Sequence, residues 1–131
     1  MSYNTKSEFG NKNNGTIESK SGKTTVSFDG NGLAPYELFL GGYVSCLHST
    51  FKSITDKKRI YFESVTYDVT GVKREEIPTL IKEVTTIITF TGIKKEKEKA
   101  IEKSMTLAER YCSISALLNT VAEMKYEIIF N

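Results

Sequence analysis

Thiols and imidazoles are scarce in this chain, with two cysteines (Cys46 and Cys112) and one histidine (His48) in 131 residues. A secreted disulfide scaffold of this size carries more cysteine. No Cys-x-x-Cys or histidine-rich spacing occurs, and a zinc site from Cys46, His48 and Cys112 would still need a carboxylate or a water as fourth ligand, so no metal is expected. No stretch approaches the roughly 18 apolar residues of a membrane span. The opening Met1-Ser2-Tyr3-Asn4-Thr5-Lys6 lacks the apolar core of a signal peptide. A basic block is missing too. The run Lys94-Lys95-Glu96-Lys97-Glu98-Lys99 mixes glutamate with its lysines, and the formal net charge is only +2, which asks for neither nucleic acid nor an anionic membrane. There is no phosphate-binding glycine loop and no Gly-x-Ser-x-Gly elbow. These absences leave a cytoplasmic protein as the expectation, and in that compartment two thiols are more often chemical than structural.

What is present suits one globular domain over residues 1–131, with 39% hydrophobic and 26% charged residues. Residues 3–33 are polar. Thr16–Ser19 and Thr24–Phe28 read as strands, with turn signals at Asn13-Asn14-Gly15 and Ser21-Gly22. Ala34-Pro35 opens a helix, proline being tolerated in the first turn. Leu40, Val44, Leu47, Phe51 and Ile54 form one apolar stripe, and the helix ends near Lys57-Lys58, where cations suit the dipole. Two alternating strands follow. In the first, Val65, Tyr67 and Val69 share a face; in the second, Val84, Thr86, Ile88 and Phe90 do; the charged stretch Lys73–Pro78 joins them as a long hairpin. Residues 94–110 read as a helix with Ala100, Ile101, Ser104 and Ala108 on one side. Tyr111-Cys112-Ser113 breaks it, Ser113 caps a short helix through Leu118, and Met124, Tyr126, Ile128 and Phe130 mark one face of a last strand. The expected order is β-β-β-α-β-β-α-α-β, an α+β fold with a mainly antiparallel sheet and one unusually apolar helix.

Cys46 lies in the middle of the apolar helix, in Gly41-Gly42-Tyr43-Val44-Ser45-Cys46. Each glycine costs up to about 1 kcal/mol in a helix interior relative to alanine, which is tolerable where a neighbour or ligand comes close. Cys112 stands at a helix break, where a following N-terminus lowers a thiol pKa. Either cysteine alone reads as a small core residue. Together they suit a peroxidatic and resolving pair, which needs a nucleophilic thiolate and a nearby thiol to trap the sulfenic acid. His48 is two positions from Cys46 and points elsewhere on a helix, so it reads as a surface or interface residue rather than half of a Cys-His pair.

The segment Pro35-Tyr36-Glu37-Leu38-Phe39-Leu40-Gly41-Gly42-Tyr43-Val44-Ser45-Cys46 resembles the signature of the OsmC/Ohr family (osmotically inducible protein C and organic hydroperoxide resistance proteins). There, a Pro-Glu-x-Leu segment opens a helix that runs into Gly-Tyr-x-x-Cys. Ala108-Glu109-Arg110-Tyr111-Cys112-Ser113-Ile114-Ser115 resembles its second, Cys-Pro-x-Ser-like motif. The resemblance implies an intertwined homodimer, sheets wrapped around a long central helix, and active sites at the subunit interface. It implies that Cys46 attacks an organic hydroperoxide and that Cys112 resolves the sulfenic acid as a Cys46–Cys112 disulfide. A dithiol, often a lipoylated protein, would restore the thiols, with no metal or bound cofactor. Glu37 would join the catalytic set, and Tyr36, Phe39 and Tyr43 would line an apolar substrate pocket.

The family's peroxidases also pair an arginine with a glutamate. The position matching that glutamate holds Tyr36, with Glu37 one residue later and facing away from Cys46 on a regular helix. No arginine precedes Arg59. Lys20 and Lys23 are the cations available in the early strands, and Ser113 replaces the proline after the second cysteine. These departures resemble the broader OsmC-like branch. The rival reading is a non-catalytic OsmC-like dimer that binds a small apolar ligand or a protein partner. A plain interaction domain with cysteines as core filler is the third.

Overall fold

Short turns set the first reversals in the computed structural model, which describes residues 1–131. Strands β1 (Lys6–Phe9), β2 (Asn14–Ser19) and β3 (Gly22–Ser27) pair antiparallel in that order. Ser19 pairs with Gly22, so Lys20-Ser21 is a two-residue hairpin turn. The expected strands Thr16–Ser19 and Thr24–Phe28 fall on β2 and β3. β1 is exposed along its whole length and carries no alternation that would have located it. After β3 the chain turns at Asp29, whose carboxylate accepts bonds from the Ser27 hydroxyl and the Asn31 amide. Those two bonds, the Ser27 one first, hold the Asp29 carboxyl below the usual carboxylate range. The chain packs as two compact units, Met1–Phe39 and Leu40–Asn131.

Helix α1 (Pro35–Lys58) begins in the first unit and continues into the second. Pro35 is its first residue, where a missing N–H leaves nothing unpaired. The Glu37 carboxylate accepts the Ala34 N–H at 2.7 Å, the backbone half of a capping box. At the other end Arg59 takes a left-handed φ of 55°. Ile60 N–H donates to Thr55 O at 3.0 Å and Arg59 N–H to Asp56 O at 3.1 Å. This pair of bonds is the Schellman arrangement, in which glycine is the usual left-handed residue.

In the second unit, β4 (Ser64–Lys73) and β5 (Ile81–Thr91) form the expected long hairpin, and β6 (Glu123–Phe130) completes the sheet in the order β4-β5-β6. β6 pairs parallel to β5, because the two strands are joined by the helical crossover α2 (Glu98–Tyr111) and α3 (Ser113–Asn119). The helix expected from residue 94 starts later. Lys95–Lys97 form a single 3₁₀ turn before α2.

One face of β5 supplies the centre of the core. Val84, Thr86, Ile88 and Phe90 are all fully buried there. Packed with them are Tyr43, Leu47 and Phe51 of α1, Ile101, Met105 and Ala108 of α2, and Leu118 of α3. The buried line of α1 is therefore Tyr43–Leu47–Phe51–Thr55. Leu40, Val44 and Ile54 of the expected stripe lie at its margin, partly buried. The Phe90 ring stands 5.4 Å, centroid to centroid, from both Phe51 and Phe62, within the range of favourable aromatic pairs. Thr86 Oγ1 is buried without a hydrogen-bond partner.

Candidate active site

Cys46 is half-buried in the middle of α1, and Cys112 is fully buried at the α2–α3 junction. Cys112 has extended backbone angles, φ −70° and ψ 120°, which stop α2 and redirect the chain into α3. Its N–H closes α2 on Ala108 O at 2.8 Å, and its carbonyl accepts Ala116 N–H at 3.0 Å. Its sulfur accepts the Ser115 N–H at 3.4 Å. The cap of α3 is thus Cys112, not Ser113 as expected. Ser113 is the first helical residue, which frees its hydroxyl to stand 4.0 Å from Cys46 Sγ.

The two sulfurs are brought together and driven apart in acidity. Burial works against a Cys46 thiolate, but hydrogen bonds from the Cys112 thiol, the Ile114 N–H and both the hydroxyl and N–H of Ser113 outweigh it, and the Cys46 pKa falls below that of an ordinary thiol. Burial pushes Cys112 up to about 11. The Ser115 N–H opposes this, and the hydrogen bond and charge of Cys46 add to it. Two interacting thiols of this kind lose their protons in two steps, the first more readily from Cys46 than from Cys112.

A second layer supports the junction. Glu109 accepts the Tyr43 hydroxyl and the Ser115 hydroxyl, each at 2.5 Å. Tyr43 is only 1% exposed. Its phenol stays protonated well above its usual range, first through burial and then through the Glu109 bond. Glu109 therefore ties α1 to the start of α3, and Ser115 in turn bonds the Cys112 sulfur. Sequence reasoning missed Glu109, Ser113 and Ser115 as site residues. The available signal was spacing, because Tyr43 precedes Cys46 and Glu109 precedes Cys112 by three residues, one helical face in each case.

The model of the OsmC family, described as OsmC-like protein, matches residues 28–127. The chain belongs to the OsmC-like family. Solved structures agree in fold. An OsmC-like protein from Mycoplasma pneumoniae superposes with a TM-score of 0.87 at 15% identity, covering 99% of this chain and 97% of the other. A hypothetical protein from Aquifex aeolicus gives 0.82 at 23% identity, with 100% and 98% covered. The organic hydroperoxide resistance protein of Bacillus subtilis gives 0.69 at 19% identity, with 98% of each chain covered. No curated protein matches.

The remaining expected residues of this OsmC-like chain are placed as follows. Glu37 is engaged with the start of its own helix through the Ala34 N–H. Tyr36 and Phe39, each 39% exposed, meet edge to face at 5.9 Å and, with Pro35, line a concavity of about 290 Å³ in the first unit. Tyr43 lies in the core with its hydroxyl on Glu109. His48 is not a simple surface residue. Its Nδ1 lies 3.0 Å from the Tyr67 hydroxyl, and its ring packs on Phe51 and Phe62. Burial, and then the charge of Lys52, lower its pKa, so it favours the neutral form. His48 and Tyr67 share the wall of a second concavity of about 560 Å³ with Val44 and Phe62. At Gly41 and Gly42 a β-carbon would meet nothing within 4 Å in this chain, so both leave the helix bare and open. No helix is long and apolar enough to cross a membrane.

Proposed function

We propose that this OsmC-like protein reduces organic hydroperoxides, with Cys46 as the peroxidatic and Cys112 as the resolving thiol. The observation that carries this reading is two free thiols with Cys46 set against the Cys112–Ile114 turn, 4.0 Å from the Ser113 hydroxyl, and with their acidities shifted in opposite directions. Thiolate, not thiol, is the nucleophile. The Cys46 thiolate attacks the distal oxygen of the hydroperoxide. The O–O bond breaks, an S–O bond forms, and the departing alkoxide takes a proton to leave as the alcohol. Cys46 becomes a sulfenic acid, two electrons having passed from sulfur to the peroxide. Cys112 then attacks the Cys46 sulfur and loses its proton, and hydroxide departs as water, leaving a Cys46–Cys112 disulfide.

The arrangement also times the second step. Burial is the main reason that Cys112 keeps its proton, but the bond and charge of the Cys46 thiolate contribute. Oxidation removes that charge, so Cys112 ionises more readily once there is a sulfenic acid to attack. Several solved relatives of this fold are named as organic hydroperoxide resistance proteins, which favours this substrate class here. The full reading includes a single functional domain, a cytoplasmic homodimer with the open Gly41-Gly42 face of α1 turned toward the second copy, and a dithiol reductant such as a lipoylated protein.

The test is stoichiometric oxidation of the reduced protein by cumene hydroperoxide, followed by thiol counting and mass mapping. The expected result is rapid loss of both thiols with one Cys46–Cys112 linkage, which Cys46→Ser cannot form. Survival of both thiols in a modest peroxide excess at neutral pH would overturn it. The second reading, an OsmC-like dimer that binds a small apolar ligand, is favoured by the concavity walled by Val44, His48, Phe62 and Tyr67. It predicts that Cys46→Ser leaves function intact.

A further inference from the structure

The peroxidase reading leaves one chemical need unmet. An alkoxide is a poor leaving group, and rapid O–O cleavage requires a donor at the oxygen that departs. The groups that favour the Cys46 thiolate are all hydrogen-bond donors of the Cys112–Ile114 turn and its thiol, with no cation among them. Most of these donors are fixed in place. The Cys112 thiol is fully buried, and the backbone N–H groups belong to the start of α3. One is reachable from solvent, the Ser113 hydroxyl, 4.0 Å from Cys46 Sγ on an exposed residue.

We propose that Ser113 is a catalytic residue that protonates the leaving oxygen of the peroxide. This rests on the peroxidase reading. As Cys46 Sγ takes the distal oxygen, the proximal oxygen moves away from sulfur along the line of attack. A hydroxyl 4.0 Å from the sulfur is close enough to meet an oxygen that departs on its side, since a hydrogen bond needs about 2.8 Å between oxygens. Ser113 gives its proton to the alkoxide as the O–O bond breaks and takes one from solvent water. The products are alcohol, Cys46 sulfenic acid, a hydroxide left in solvent and an unchanged serine. Because Cys112 rather than Ser113 caps α3 through its side chain, the hydroxyl is free for this work.

The experiment compares two oxidants that differ in their need for a proton. tert-Butyl hydroperoxide releases a strongly basic alkoxide. Peracetic acid releases acetate, which needs none. The rate constants of Cys46 oxidation by both are measured for wild type, Ser113→Ala and Ser113→Thr. Any change in the thiolate fraction cancels in the ratio of the two rates within each protein. Ser113→Ala is expected to lose about 100-fold with tert-butyl hydroperoxide relative to peracetic acid, and Ser113→Thr to keep the wild-type ratio. A wild type that reacts with both oxidants, with an unchanged ratio in Ser113→Ala, overturns the role of Ser113 alone. A wild type inert to both overturns the peroxidase reading and this role with it.

Discussion

The two sulfurs differ chiefly in what surrounds them. Cys46 is half-buried among hydrogen-bond donors, whereas Cys112 is sealed in the core and held protonated. Iodoacetamide at neutral pH is therefore expected to label Cys46 first, with an inflection in the rate below that of a free thiol near 8.5. Cys112 of a Cys46→Ser variant should remain unlabelled until urea unfolds the protein. Equal labelling rates for the two thiols would contradict the geometry. His48 gives a second prediction. Its folded pKa is lowered, so the unfolded chain binds more protons. The stability that neutral His48 contributes is complete above the unfolded value of about 6.5 and is lost as pH falls through it toward the folded value. The midpoint of thermal unfolding should drop between about pH 7.5 and 5.5, and His48→Gln should flatten that slope. The two cysteines were legible in the sequence because both sit in recognisable surroundings. Glu109 was not, because a glutamate in a charged helix announces nothing until the fold sets the Tyr43 and Ser115 hydroxyls against it.

Among the elements, α1 was the most legible, because its two ends are written in local chemistry. Pro35 and Glu37 open it and Lys57-Lys58 close it. The alternation of β5 was equally plain, since Val84, Thr86, Ile88 and Phe90 share one buried face. Strand direction was not readable for β6. Its pairing beside β5 is decided by how α2 and α3 return the chain, and no residue of β6 records that. The short turn at Cys112 was read one residue late, because sulfur is a weaker acceptor than a serine hydroxyl and Ser113 looked like the cap. One element carries an improvable feature. Arg59 occupies the left-handed position after α1 with φ 55°, where a side chain costs about 1 kcal/mol that glycine avoids. Arg59→Gly should raise unfolding stability by about 0.5–1 kcal/mol, read from the urea midpoint. An unchanged or lowered midpoint would mean that the arginine side chain makes up the difference elsewhere.

At the scale of the molecule, the bare Gly41-Gly42 face bears on assembly. A side chain at Gly42 meets nothing within 4 Å in this chain, and replacing a helix-interior glycine removes a cost of about 1 kcal/mol. If the chain acts alone, Gly42→Arg should be neutral or stabilising. In the proposed homodimer a long cation there meets the second copy, so light scattering should show loss of the dimer with the helical circular dichroism retained. A dimer untouched by Gly42→Arg would place the interface elsewhere. The unequal burial of the two sulfurs has a further consequence, for the traffic of electrons back into the protein. An incoming dithiol can reach only the Cys46 side of the proposed disulfide, so the reductant must dock covalently on Cys46 and expel Cys112 first. Burial is the part of its raised pKa that remains in the disulfide, so Cys112 departs as a thiolate more slowly than an exposed thiol would. Under peroxide with a limiting dithiol the protein is then expected to accumulate as the Cys46–Cys112 disulfide rather than as free thiols, read by thiol counting and mass mapping.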